Sequence, residues 1–468
     1  MASFFLNCFA KWHQTPELST EDPEPVAKKD DEVDAVIVYA PDGQPKSSDA
    51  GRVFVLTFNS NDQALTEAVI ADLFADVNGA ACVVVSFQEY DLQPSSPLPA
   101  QPLMYDETIK KSAEDISGDY SALQARYLRA SREDAAADTA RLAAFHGALG
   151  PGYTLVTDTA MGEHACKSDD GVEWFGFVRL LVFARRDTPM GAALCSDKGL
   201  LTCVVPSGNK VSSVAANDAD PALAPYNVNM SPDKGAVLAY FPAAKLLCCA
   251  AHFHGTNKHG VPEREFDAVR RQQLQRASEA VAWIVAVHAK RSEQGQKNGP
   301  TRAGFGSGAD LGCSLVLAGD LNFRVESEFV APDDKQMGGK DWVAVHAGAS
   351  SHDPAVLRDL YLQHDRLRMM LGARGGVAPP PLVADCADAV GCTLAAARQL
   401  LPPTFTFTPH APPPRPYKKK RPPSWTDRVL TRDLSSFMGA PAALAVCKSL
   451  PHVICSDHEP VVAVFTAQ

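Results

Sequence analysis

Short apolar runs recur along the chain, and most of them stop at a polar residue. "VFVLTF" from Val53, "ACVVVSF" from Ala81, "FVRLLVFA" from Phe177, "KLLCCAA" from Lys245, "SLVLAG" from Ser314 and "VVAVF" from Val461 are five to eight residues long. Their length and β-branched content predict buried strands. Between them, apolar residues at helical spacing predict helices over Ala122–Leu149, Arg264–His288 and Val356–Leu371. Proline- and glycine-rich stretches at Pro94–Pro102, Arg291–Gly312 and Gly372–Pro381 read as loops or insertions. No repeat of fixed period is found. Alternating strands and helices predict one α/β domain over 35–468. The preceding 1–34 is acidic towards its end, with Pro23 and Pro25, and is expected to be flexible.

Composition narrows this picture. With 468 residues, 46% of them apolar, the chain can bury a large core. A net charge of -11 gives no general pull towards nucleic acid or anionic membrane. Any polyanion must therefore meet a local basic patch, and Arg415, Lys418, Lys419, Lys420 and Arg421 form a cluster that offers it. The cysteines include no CxxC pair, and Cys82, Cys203, Cys248, Cys249 and Cys313 lie in or beside apolar runs. They read as reduced, buried thiols, which suits a cytoplasmic protein better than a disulfide framework or zinc site. No apolar run approaches the roughly 20 residues of a membrane span. The first residues could touch a membrane surface through Phe4, Phe5, Phe9 and Trp12, so peripheral contact is allowed.

The polar residues at the run ends carry the chemistry. "VFVLTF" ends in Asn59, "VVVSFQ" in Glu89, "LLCCAA" in His252, and "LVLAG" in Asp320 and Asn322. The last run is preceded by Asp457 and His458. A polar residue after a strand is ordinarily a turn residue. Five runs abutting groups that bind metal, move protons or hold phosphate point instead to one cleft, because open α/β sheets gather ligands where their strands stop. On an extended strand end, Asp320 and Asn322 point to the same side.

"GDLNFR", "PPSWTDRVL" and "SDHEPV", in that order, resemble the signature of the inositol polyphosphate 5-phosphatases, a family of the Mg-dependent exonuclease–endonuclease–phosphatase superfamily. "LTFNSND", "SFQE", "DKGAVLAYF", "AAHFHG" followed by "RRQQLQ", "LYLQHDRL" and "PTFTFTP" resemble other family segments. The resemblance runs from about Arg52 to the last residue, with insertions near 94–150, 291–312 and 372–403. It implies a DNase I-like, four-layer α/β sandwich: two packed mixed β-sheets flanked by helices. It also implies Mg²⁺-dependent hydrolysis of the 5-phosphate of phosphoinositide lipids or soluble inositol polyphosphates.

In that reading Glu89 and Asn59 hold the metal, and Asp320 deprotonates the attacking water. Asn322, His252 and His458 contact the phosphate, Asp427 orients His458, and Asp457 joins the water network. Lys234, Tyr417, Lys419, Arg421 and Arg324 read neighbouring phosphates. Trp425 is expected to pack beneath the Asp427 turn, and His254 and His259 to be loop residues. The sequence departs from the family pattern at Phe323, Ala236 and Thr406, and in the proline-rich stretch before "PPSW". These departures bear on substrate reading more than on the catalytic set. The alternatives are a nuclease of the same superfamily, which "PPSWTDRVL" and the acidic charge disfavour, and a catalytically silent scaffold. Nucleic acid is not an expected partner.

Overall fold

The computed structural model describes residues 51–77, 79–92, 103–104, 132–163, 175–206, 210–211, 228–229, 234–255, 263–295, 312–326, 340–372, 378–396, 400–418 and 421–468. The 1–34 segment, the expected loop over 94–102, the first part of the expected helix over 122–149, most of the 291–312 stretch, His259, Lys419 and Lys420 lie outside them. In chain order the strands are β1 (Arg52–Asn59), β2 (Cys82–Tyr90), β3 (Leu103–Met104), β4 (Tyr153–Glu163), β5 (Phe175–Arg185), β6 (Leu201–Pro206), β7 (Lys210–Val211) and β8 (Val228–Asn229). They continue with β9 (Gly235–Phe241), β10 (Leu246–His252), β11 (Ser314–Asp320), β12 (Ala387–Asp388), β13 (Asp427–Arg432), β14 (Ala442–Ser449) and β15 (Val461–Ala467).

Two mixed sheets result. The first runs β14-β15-β1-β2-β5-β4, and the second β12-β13-β11-β10-β9-β6-β3. Strands β7 and β8 form a small ladder of their own. Each large sheet has a parallel pair at its centre, β1 with β2 and β10 with β11, while their outer neighbours are antiparallel.

Alternation along each strand sorts side chains between two faces. Val53, Val55, Cys82, Val84, Cys248, Ala250, Val316, Ala318 and Val429 share one core cluster between the sheets. The alternate residues Phe54, Leu56, Val83 and Val85 face outward, under Ile70 and Leu73 of the helix Glu67–Leu73 and Phe145 of the helix Arg132–Leu149. Leu247, Cys249, Leu315 and Leu317 face outward on the other side, under Leu274, Ala277, Val281 and Ile284 of the helix Glu263–Gly295. Those four helical residues follow the three- and four-residue spacing of one helix face. The expected layering of helix, sheet, sheet and helix is what the chain adopts, and the six expected strands are all present. Trp425 is fully buried, as expected, and its indole N–H donates to the Leu401 carbonyl at 3.0 Å.

Some elements differ from the sequence reading. Val356–Leu371 is two helices, Pro354–His364 and Arg366–Leu371. The break falls at Asp365, which is extended and caps the second helix by accepting from the Arg368 amide at 2.9 Å. Its other oxygen is bound by the buried Arg428 guanidinium. Strand β4 went unrecognised because its threonines and acids mask the alternation. Strand β14 did so because its burial is irregular, with a register shift between Leu444 and Val446.

Candidate active site

Register brings the expected residues together. His252, Asp320 and Asp427 lie on one rung across β10, β11 and β13. Paired residues on adjacent strands share a face, and this rung continues the inner-face series Cys248, Ala250, Val316, Ala318 and Val429. Gly319 allows the close approach just before the rung: a Cβ there would stand 2.0 Å from the Ala251 carbonyl oxygen. In the facing sheet, Asn59 ends the inner series of β1. Ser86 of β2 ties the two sheets at this rim by donating to the Ala318 carbonyl at 2.8 Å.

Glu89 breaks the alternation. The inner face of β2 is carried by Cys82, Val84, Ser86 and Gln88, so an unbroken strand would turn Glu89 outward. Instead the ladder to β5 shifts register between Phe87 and Tyr90, and Glu89 adopts φ 48°. A bulge of this kind re-aims a side chain. Left-handed backbone at a residue other than glycine costs on the order of 1–2 kcal/mol. Asn322 adopts the same region at φ 55°. Both strained residues sit at the rim.

The cluster centres on one carboxylate oxygen. Asp320 Oδ2 accepts from Asn59 Nδ2 at 3.0 Å and lies 3.5 Å from His252 Nε2 and 3.8 Å from His458 Nε2. Its partner oxygen, Oδ1, accepts from the Asn322 amide at 2.9 Å. Asp320 is fully buried, and burial raises its carboxyl pKa; Asp427 adds to the rise, while His458 and Lys234 oppose it. Lys234 Nζ lies within 3.1 Å of both His252 ring nitrogens and 3.6 Å from Glu89 Oε1. His252 Nε2 is also 3.6 Å from Glu89 Oε1.

His458 is set by its surroundings on three sides. Its Nδ1 lies 2.9 Å from Asp427 Oδ2, an oxygen that also accepts from Thr404 and Thr426 hydroxyls at 2.7 and 3.1 Å. Phe405 packs on the ring with centroids 4.5 Å apart. Burial pushes the imidazole pKa down, but Asp427, Asp320 and Asp457 outweigh it and hold it up at about 9. Asp457 is held below the ordinary carboxylate range. Burial would raise it, and the charges of His458, Lys418 and Arg421 more than offset that.

Donor chemistry at the rim fits a hard cation that keeps most of its waters. Among the described residues, no group of three or more His, Cys, Asp or Glu side chains is arranged to hold an ion by itself. Mg²⁺ needs no such cage, since one or two carboxylates suffice when waters complete its shell. Glu89, with a side chain 29% exposed and standing 3.6 Å from both Lys234 and His252, meets that requirement. Asn59 Oδ1 already accepts from the Asn61 amide at 3.0 Å, which leaves one lone pair for a cation.

The residues expected to read substrate separate into two kinds. Lys234 stands in the cluster, and Arg421 lies half-buried beside Phe405, its guanidinium carbon 5.7 Å from the ring centroid. Arg324 is buried; it donates to Asn322 Oδ1 at 2.9 Å and stacks over Phe405 at 4.6 Å, so in this geometry it orients Asn322. Tyr417 is also buried, stacked on Phe407, with its hydroxyl donating to the Pro403 carbonyl at 2.9 Å. In this geometry that phenol braces a loop. His254 is a loop residue, as expected, its backbone held by Gln273 and Arg270 of the long helix.

Sequence reasoning gave no part in the site to Ser456 or Thr404, and gave Lys418 only a place in the basic cluster. Ser456 Oγ donates to the Asn59 carbonyl at 2.7 Å and accepts from the His458 amide at 3.1 Å. Lys418 Nζ lies 3.1 Å from Asp457 Oδ2. The signal in the sequence for these was membership of "SDH" for Ser456, of "PTFTFTP" for Thr404 and of the basic run for Lys418.

Residues 394–464, which include Asp427, Asp457 and His458, match the model of endonuclease/exonuclease/phosphatase family 2. That stretch therefore has the sequence character of the endonuclease/exonuclease/phosphatase class. No curated protein matches the chain. Among solved structures, the inositol polyphosphate 5-phosphatase domain of SPsynaptojanin, in complex with inositol (1,4)-bisphosphate and calcium ion, is similar with a TM-score of 0.44 and 17% identity; the match covers 89% of this chain and 84% of that one. A Cimex nitrophorin ferrous NO complex has the same TM-score of 0.44 at 14% identity, covering 89% and 98%. AP endonuclease LMAP from Leishmania major follows at 0.33 and 10%, covering 94% and 96%. Among the described residues, no helix is long and apolar enough to cross a membrane.

Proposed function

We propose that this protein is a Mg²⁺-dependent phosphomonoester hydrolase of the inositol polyphosphate 5-phosphatase type, acting on phosphoinositide lipids or soluble inositol polyphosphates. The observation that carries the reading is the convergence of Asn59, His252 and His458 on one oxygen of the buried Asp320, within 3.8 Å. The choice of an inositol substrate within the phosphoesterases rests on "PPSWTDRVL" and on the cations Lys234, Lys418 and Arg421 around the cluster.

Asp320 takes the proton of the attacking water. Burial raises the basicity of its carboxylate, and Asn59 and Asn322 fix its orientation by donating to its two oxygens. Asn322 keeps one amide hydrogen for a phosphate oxygen, its other being donated to the Phe253 carbonyl at 3.0 Å. His458, cationic below about pH 9, faces the reacting phosphate through Nε2 while Asp427 holds Nδ1. His252 at the end of β10 and Lys234 just before β9 add donors. Mg²⁺ held at Glu89 and Asn59 would supply charge neutralisation for the phosphate and leaving oxygens. Preorganised charge does the work, with no covalent intermediate.

The test is phosphate release across a panel of inositol lipids, soluble inositol phosphates and abasic duplex DNA, with Mg²⁺ and with chelator. Mg²⁺-dependent release from 5-phosphorylated substrates is expected, and the Asp320→Ala variant should lose at least about 10³-fold while remaining folded. DNA cleavage without phosphate release would replace this reading with a nuclease. Unchanged turnover in the variant would remove Asp320 from the mechanism.

A further inference from the structure

Arg415 belongs by sequence to the basic cluster expected to meet a polyanion, yet its side chain is 0% exposed. It is closed off from any substrate. Its Nη1 donates to the Ser456 carbonyl at 2.6 Å and its Nη2 to the His458 carbonyl at 3.3 Å. Nη2 also stands 3.5 Å from Glu459 Oε1 on the same loop, and the guanidinium carbon lies 4.3 Å from the Phe407 ring centroid.

We propose that Arg415 is a positioning residue for His458, a guanidinium fork that sets the curvature of the Ser456–Glu459 loop and thereby aims the imidazole. The proposal rests on the reading of His458 as a phosphate-contacting group. Residues 455–457 form a bend in which the Asp457 carbonyl accepts from the Phe407 amide at 2.9 Å, while the Ser456 carbonyl and, just beyond the bend, the His458 carbonyl face Arg415. Arg415 meets two carbonyls, two residues apart, with one rigid planar group. A lysine, a point charge on a flexible stem, could bond both but would not fix their spacing. The loop is gripped from the opposite side by Ser456, whose hydroxyl reaches the Asn59 carbonyl, and Phe405 lies against the ring itself. His458 is therefore set between β1 and the Arg415 loop.

The ion pair with Glu459 by itself gives little reason for this arrangement. A buried ion pair replaced by apolar residues of similar size is often neutral or stabilising. Arg415→Met combined with Glu459→Gln removes both charges together but also takes the donor from the Ser456 and His458 carbonyls, so it is dependence of the kinetic loss on His458 that separates positioning from bracing.

The experiment uses the full chain. Steady-state kinetics are measured for Arg415→Lys and for Arg415→Met/Glu459→Gln, each in the parent and in a His458→Ala background. Loop amide hydrogen exchange is followed alongside. A kcat loss of about 10–100-fold with KM changed less than about threefold, shrinking to less than about threefold when His458 is absent, is expected. Faster exchange at the His458 and Glu459 amides, with the rest of the sheets unchanged, should accompany it. Equal losses in both backgrounds, or wild-type kcat with wild-type exchange, would overturn the proposal. If the parent protein releases phosphate from nothing in the panel, the functional reading fails separately. Exchange then decides alone: loosened loop amides in Arg415→Lys uphold the clamp, and unchanged ones refute it.

Discussion

At the scale of single residues, the site depends on which charges are buried beside which. Asp427 is the clearest case, because it gives His458 a fixed partner and offsets the burial that would otherwise keep the ring neutral. Asp427→Asn keeps the shape and removes the charge. It is expected to lower the His458 pKa from about 9 and to cut phosphate release by about 10²–10⁴-fold, read by ring NMR titration and steady-state kinetics. The same shift has a sign for stability. A histidine whose folded pKa is raised favours the fold fully below its unfolded value of about 6.5, and that contribution fades as pH climbs through about 9. Urea midpoints of the parent and His458→Gln should therefore differ most near pH 6 and converge above pH 9. The polar strand ends were legible because apolar runs stop there. Arg415 and Tyr417 were read as groups available to a polyanion, because the burial of a basic, proline-rich run is not visible in its sequence.

At the scale of elements, alternation did most of the work, and the informative exceptions are where it fails. The strands β1, β2, β10 and β11 could be read from the sequence because continuous apolar runs are what doubly covered strands require. Glu89 could be singled out as a chemical residue, but nothing in "SFQEY" announced the bulge that turns it inward. That bulge trades stability for placement. Glu89→Gly should relieve the left-handed strain and leave the protein as stable or about 1 kcal/mol more stable by thermal melting, while Mg²⁺-dependent turnover is lost. A variant that is both less stable and still active would contradict the strain argument. The split at Asp365 was illegible for a related reason: the capping carboxylate sits inside an apolar helical pattern, and its other oxygen is bound by Arg428, 63 residues away.

At the scale of the whole molecule, both sheets close only through pairings between distant parts of the chain. Strand β15 lies between β14 and β1, with Arg52 opposite Thr466. Deleting residues 461–468 would leave unpaired edges on both neighbours, and no cooperative thermal transition is expected from the truncated chain by circular dichroism. A truncated protein that melted cooperatively would show the sheet to be less dependent on that strand. The α/β class could be read from the order of elements. The strand order could not, since long-range pairing leaves no local trace.

The position of β15 also has a consequence in time. During synthesis β1 emerges long before its antiparallel neighbour leaves the ribosome, and His458 arrives only just ahead of that neighbour. The proposed site is thus incomplete in the nascent chain until that late stretch is out, and β1 waits beside an open edge in the interval.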